Sequence, residues 1–278
     1  MEPYVFVLDL DGTIIGDCTY QCDIYNIQDI ITKNKRNNNL VKSKLALEKH
    51  LLDSYCKNSL LIRPHFTTFM STMKKMYPNV HIFVYTASDK MWANKEINII
   101  ERQNNIKFNR PIFTRDDSII DKFGNVRKSI NKIMPKILRS IKAKKGYKID
   151  NKLLVIDNNP TFVDYHDNFL LCPTYNYVKF TNIWDGIKED YIKCQDLKRF
   201  LDKLISESKI HNVRNTITPE KQEKVYKWLY KKYKKINKYN CAYVKDTFWR
   251  DLTLLIKHNN VRDYNKKVIL SMQKSIKS

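Results

Sequence analysis

Three short apolar runs set the strongest limit on what this chain can fold into: Tyr4-Val-Phe-Val-Leu-Asp9, Val80-His-Ile-Phe-Val-Tyr-Thr86 and Leu153-Leu-Val-Ile-Asp157. Each is rich in branched or aromatic residues, and none alternates cleanly between apolar and polar. Such runs suit strands covered on both faces, as in a parallel sheet. Helical periodicity lies between and after them. Phe66, Phe69, Met70, Met73 and Met76 recur every three or four residues, as do Ile130, Ile133, Met134, Ile137, Leu138 and Ile141. Residues 197–205 form another amphipathic stretch. Alternating strands and helices predict an α/β domain with helices on both faces of the sheet. Pro135, inside the second helical pattern, predicts a kink or a later helix start.

Residues 33–44, 142–152 and 206–217 are polar and read as loops or insertions, the last as a linker. Beyond it, Thr218 can cap a helix and Pro219 suits its first position. Val225, Trp228, Leu229, Tyr233 and Ile236 make one apolar stripe, and Val244, Phe248, Leu252, Leu255 and Ile256 another. The expected organisation is therefore a domain over 1–205, a linker over 206–217 and a small helical module over 218–278. Of the net charge of +22, residues 209–278 supply +13, from 18 basic and 5 acidic side chains. This surplus predicts contact with nucleic acid or another polyanion through the module; the competing expectation is a solvated outer face on a lysine-rich chain. No apolar stretch approaches the roughly 20 residues of a membrane span. The six cysteines form no CxxC pair, so they are read as reduced thiols in an intracellular protein.

In open α/β sheets, ligands sit beyond the carboxyl ends of the strands. All three runs end in polar groups there: Asp9 with Asp11, Thr86 with Ser88, and Asp157 with Asn158. Asp9 and Asp11 would repel each other, and a buried strand has no structural use for both. A hard, oxygen-liganded cation such as Mg²⁺ would offset the repulsion. Gly12 lets the chain turn just after the acids and aim Asp11 differently.

Asp9-Leu-Asp-Gly-Thr13 resembles the first motif of the HAD superfamily of aspartate-nucleophile phosphohydrolases. Arg63-Pro-His65 with Phe69, Tyr85-Thr-Ala-Ser88 and Val155-Ile-Asp-Asn-Asn-Pro160 resemble, in order and spacing, the blocks of its CTD-phosphatase-like, or NLI-interacting-factor-like, branch. The resemblance covers residues 3 to about 205. It implies a HAD-like Rossmannoid fold and an Mg²⁺-dependent phosphatase acting on phosphoserine or phosphothreonine in a protein tail. It implies Asp9 as nucleophile and Asp11 as acid and then base. Mg²⁺ would sit among Asp9, the Asp11 carbonyl and Asn158, with Asp157 in the same acidic set. Thr86 would bind a phosphoryl oxygen. Lys128, in Gly124-Asn-Val-Arg-Lys128, would neutralise the phosphoryl charge, with Lys132 as the other candidate. Ser88, Trp92 and Arg115 match substrate-groove positions, although Trp92 equally suits core packing. Gly12 and the block after Thr13 depart from the branch's usual pattern and leave the substrate open. Two other functions remain in play: a nucleic-acid 3′-end phosphatase with the same chemistry, guided by the basic module, and a non-catalytic scaffold.

Overall fold

The structure, a computed structural model, describes residues 2–33, 41–56, 58–144, 146–207, 218–239 and 245–277. Its sheet contains β1 (Tyr4–Leu8), β2 (Val80–Val84), β5 (Leu153–Asp157) and β6 (Phe169–Leu171), ordered β2-β1-β5-β6 with every pair parallel. A small antiparallel hairpin, β3 (Ile119–Ile120) and β4 (Val126–Arg127), stands apart. The three expected strands are present. They do not alternate in sequence because both faces are covered. Phe6, Leu8, Ile82, Val84, Leu154 and Ile156 enter one apolar cluster; Val5, Val7, Phe83, Tyr85, Leu153 and Val155 enter the other.

Helices α1 (Thr19–Lys33), α2 (Val41–Ser54), α3 (Phe66–Met76) and α4 (Lys90–Asn104) belong to the first cluster's side, and α5 (Ile130–Ser140) covers the second. The expected loop over 33–44 is shorter than that: Lys33 ends α1 and Val41 already begins α2, while 34–40 lie outside the described residues. Pro135 neither delays nor splits α5, which is helical from Ile130. The carbonyl that loses its bond belongs to Asn131, on the exposed face, where water can take it. Helices α6 (Trp184–Lys193) and α7 (Gln195–Glu207) follow, then α8 (Pro219–Tyr239), α9 (Phe248–His258) and α10 (Lys266–Lys277). Most of the expected linker, 208–217, and Val244 of the second stripe lie outside the described residues.

The last helices correct the expected division of the chain. α9 and α10 share the core of the sheet domain instead of forming a module beyond it. Trp249 lies against Phe66 and Phe69 of α3, with ring centroids 5.1 and 4.6 Å apart. Tyr264 packs edge-on to Phe6 at 5.4 Å, and its hydroxyl meets that of Tyr77 at 2.9 Å. The Gln273 amide pairs with both backbone groups of Leu171 at 2.9 Å, which covers part of the open edge of β6. The stripe of α9 finds its partner in α3, while Tyr264 beyond it packs on β1. On α8 the expected stripe is also partly wrong. Tyr226 is buried on Trp184, and Tyr233 stacks on Phe180, but Trp228 stays 42% exposed.

Candidate active site

Parallel register brings the three strand ends to one level: Leu8 pairs with both Val84 and Ile156. Asp9, Thr86 and Asp157 therefore emerge side by side, all buried. The chain then turns tightly, with Gly12, at φ 78°, donating its N–H to Ile15 O at 2.8 Å. A side chain there would be strained, and its Cβ would lie 2.7 Å from Asn158 Nδ2. The Thr13 hydroxyl lies 3.1 Å from Asp9 Oδ2 and donates to it. Gly16 has a different reason: a Cβ would collide with the Tyr177 carbonyl at 2.1 Å.

Lys128 is buried, and its ammonium donates to Asp9 Oδ1 at 2.6 Å and to Asp157 Oδ2 at 2.7 Å. The hairpin and α5 hold it there. Lys128 directly follows β4, and Ser129 caps α5 while donating to Asp164, which also accepts the Ile130 and Asn131 amides. Burial alone would lower the ammonium's proton affinity, but the two carboxylates together hold it well above the ordinary lysine range. Lys132 turns away instead, towards the carbonyls of Asp116 and Ser118. Of the two candidate lysines, only Lys128 lies between the carboxylates.

Asp11 sits at the floor of a cavity of about 590 Å³. Burial, and then the charge of Asp9, push its carboxyl up to about 6. Thr86 and Ser88 both donate to its Oδ2, at 3.2 and 2.9 Å. The Thr86 hydroxyl thus holds Asp11 here. Trp92 and Arg115 line the same cavity. Trp92 also packs edge-on to Tyr25 at 5.3 Å, so it is at once a wall of the cavity and a packing residue. Arg115 is anchored by its Nε donating to Ala87 O at 2.9 Å.

The chemistry of the donor set tests whether a cation fits. The Asn158 side-chain oxygen faces Asp9 Oδ2 at 3.2 Å and the Asp11 carbonyl oxygen at 3.1 Å. The Thr13 hydroxyl supplies one hydrogen here, standing 3.1 Å from Asp9 Oδ2 and 3.2 Å from Asn158 Oδ1. The remaining oxygen contacts are repulsive unless a cation joins them or the amide turns over and donates to Asp9 Oδ2 and the Asp11 carbonyl. Oxygens on an octahedral Mg²⁺ at about 2.1 Å stand about 3 Å apart. Asp157 belongs to the set only indirectly: Lys128 takes one of its oxygens and the Asn159 amide the other, at 2.7 Å each.

Sequence reasoning missed several neighbours. Thr13 was legible in the motif as a residue but not as Asp9's partner. Glu96 of α4 is fully buried, accepts from Tyr55 at 2.7 Å, and has an oxygen within 4.8 Å of oxygen and sulfur atoms of Asp11 and Cys18. Burial, and then the charge of Asp11, push its carboxyl well above the ordinary glutamate range. Its signal was an acid among Ala93, Ile97 and Ile100 on one helical stripe. Arg63, read as a helix start, is a buried clamp. It makes two 2.9 Å bonds to Asp246 and one of 2.8 Å to Pro173 O, and its guanidinium lies 4.6 Å from the centre of the Phe248 ring. Trp249 Nε1 donates to Thr13 O at 3.3 Å. The start of α9 thus braces both the Gly12–Thr13 turn and the strand exit beside Thr174, another wall of the cavity.

The sequence profile of the NLI interacting factor-like phosphatases matches residues 4–214. The chain belongs to that family. It is a phosphatase with the α/β HAD-like fold, and α8, α9 and α10 lie beyond the matched segment. Among curated proteins, none matches the chain in sequence. The solved structures similar to it include two of a CTD phosphatase. One is Fcp1, an essential RNA polymerase II CTD phosphatase, at 15% identity and a TM-score of 0.36, covering 98% of this chain and 70% of that one. The other is a variant of fission yeast Fcp1 bound to beryllium fluoride, at 16% identity and a TM-score of 0.37, with the same coverage. No helix of the described residues is long and apolar enough to cross a membrane.

Proposed function

We propose that this NLI interacting factor-like phosphatase removes phosphate from serine or threonine in protein substrates, with Mg²⁺ bound and through a phosphorylated Asp9. The observation that carries this reading is the split environment of Asp9. One oxygen meets the Lys128 ammonium, and the other lies beside the Asn158 side chain, which also reaches the Asp11 carbonyl, so acceptor groups of three residues converge there. Asp9, Asn158 and the Asp11 backbone would hold the Mg²⁺, which when bound supplies positive charge for the phosphoryl oxygens and for Asp9.

In the first half-reaction a carboxylate oxygen of Asp9 bonds to phosphorus, and the bond to the substrate oxygen breaks. Asp11 gives its proton to that leaving oxygen. In the second half, water attacks the phosphorus of the aspartyl-phosphate, Asp11 takes the water's proton, and Asp9 is regenerated as inorganic phosphate leaves. A carboxyl poised near 6 can both give and take a proton near neutrality. Lys128 neutralises charge developing on the phosphoryl group and fixes the Asp9 orientation. The Trp92 and Arg115 walls supply one apolar and one cationic side to receive residues flanking the phosphate. Membership of the NLI interacting factor-like phosphatases supports a phosphoprotein as the substrate class.

The test compares a phosphoserine peptide, a 3′-phosphorylated oligonucleotide and a small aryl phosphate on the purified protein, with and without EDTA. The peptide is expected to turn over faster than the oligonucleotide, and Mg²⁺ to restore what EDTA removes. Preference for the oligonucleotide would transfer the same chemistry to nucleic-acid ends. No turnover of any of the three would leave a scaffold.

A further inference from the structure

From Lys224 to Tyr239 the chain carries seven lysines and no acidic residue. On α8, Lys224, Lys227, Lys231, Lys235 and Lys238 follow one another at spacings of three or four, so they form one ridge along the helix. All five are exposed. The acids of this helix, Glu220 and Glu223, sit in its first two turns, and Glu223 is engaged by Lys227. Like charges at these spacings repel, so an anion lying along the ridge would offset the repulsion.

Two aromatic rings border the ridge, one on each side. Trp228 is 42% and Tyr230 46% exposed. Each has a lysine ammonium over its ring, Lys232 at 5.2 Å from Trp228 and Lys234 at 5.9 Å from Tyr230. The helical stripe would have buried Trp228; the fold buries Tyr226 in its place. The apolar side of α8 is already committed, through Val225, Tyr226 and Tyr233, to the protein's own core. Among its described side chains the helix therefore has no free apolar face to lay into a lipid surface. A backbone of regularly spaced phosphates matches the lysines, and flat bases match the exposed rings.

We propose that the outer face of α8 binds single-stranded nucleic acid, with the lysine ridge on the phosphates and Trp228 stacking on a base. The ligand is a docking partner here, independent of the phosphatase site; no residue of this face lines the catalytic cavity. The test measures binding of fluorescent oligo(dT) and oligo(U) 20-mers to the full chain by anisotropy across a salt series, with heparin as an anion that has no bases. Three to five neutralised phosphates give a log–log salt slope of roughly −2 to −4. Trp228→Ala is expected to weaken oligonucleotide binding by roughly tenfold and leave heparin unchanged, since stacking on one base is typically worth about 1–3 kcal/mol. Replacing Lys227, Lys231 and Lys235 with Gln is expected to weaken both ligands and flatten the slope. Hydrolysis of an aryl phosphate reports folding of each variant and is expected to match wild type. Oligonucleotide affinity indifferent to both sets of changes overturns the proposal. So does equal loss of heparin and oligonucleotide in Trp228→Ala, or tighter binding of an acidic phosphopeptide through the same lysines. Loss of phosphatase activity in the wild-type chain would refute the proposed function and leave this one standing.

Discussion

In the proposed mechanism Asp9 meets two opposite demands: it is held between a buried lysine and the Asn158 side chain, and it must be free to attack phosphorus. Asp9→Asn keeps the shape but removes the proposed nucleophile, so aryl phosphate turnover should fall by roughly 10⁴ or more, with an unchanged circular dichroism spectrum. Lys128→Met leaves Asp9 and Asp157 buried without their shared cation. Loss of one partner from a buried ion pair costs about 3–5 kcal/mol, so this variant should lose stability to denaturant as well as activity. Asn158→Ala removes one of the converging oxygens. The Mg²⁺ concentration for half-maximal activity should rise by at least the roughly tenfold typical of altered metal surroundings, while kcat at saturating Mg²⁺ changes less; an unchanged Mg²⁺ requirement would take Asn158 out of the metal site. These residues were legible in the sequence because strand-end chemistry is local: the acids, the threonine and the amide each stand within two residues of an apolar run. Glu96 and Thr13's bond to Asp9 were not, because partners 41 and 4 residues away, Tyr55 and Asp9, are chosen by packing.

The sheet was readable because both its faces are buried, which leaves continuous apolar runs in the chain. Helices α1 and α2 were not, since α1 buries Tyr20, Gln21 and Tyr25 alongside its isoleucines and so lacks a clean apolar stripe. Helix α9 was recognised as a helix but assigned the wrong partner. Trp249, Leu252 and Ile256, at spacings of three and four, carried the signal, yet nothing local says that the stripe faces α3 in place of α8. Its contacts give a specific expectation. Asp246→Ala leaves the Arg63 guanidinium buried and unpaired, so the protein should lose about 3–5 kcal/mol in urea unfolding, and Arg63→Met with Asp246→Leu together should cost less than the sum of the single changes. Deleting 245–278 would strip Trp249 and Tyr264 from the core, and an insoluble or inactive product is expected. A soluble, fully active 1–244 fragment would restore the separate module.

For the molecule as a whole, two buried groups pull stability in opposite directions with pH. His50, packed edge-on to Tyr20, is pushed down to about 4 by burial. The unfolded chain binds that proton from about 6.5 downward while the folded one refuses it, so stability falls as pH drops from 6.5 towards 4. The full effect is roughly 3 kcal/mol at about 1.36 kcal/mol per unit, and His50→Leu should flatten the acid limb of Tm against pH. Glu96 acts on the other side. Its folded carboxyl keeps a proton that the unfolded chain loses above about 4.5, so its stabilisation is complete below that pH and declines as pH rises. Glu96→Gln should therefore gain on wild type progressively with pH; a constant difference between the two from about pH 5 to 8 would mean that Glu96 is ionised in the fold. The charge of +22 was visible at once, but its placement was not. Which lysines align on one helix face, and which rings stay outside among them, follows from how α8 is rotated against α6.

The phosphorylated carboxylate offers the most direct test of the proposed chemistry. Asp11→Asn protein, which lacks the proposed base for the second half-reaction, is mixed with Mg²⁺ and an aryl phosphate. It is then quenched in acid, reduced with borohydride and mapped by mass spectrometry. The expected result is one equivalent of released aryl alcohol per chain and homoserine at position 9. Steady release with no modified residue, or modification anywhere but Asp9, would contradict it.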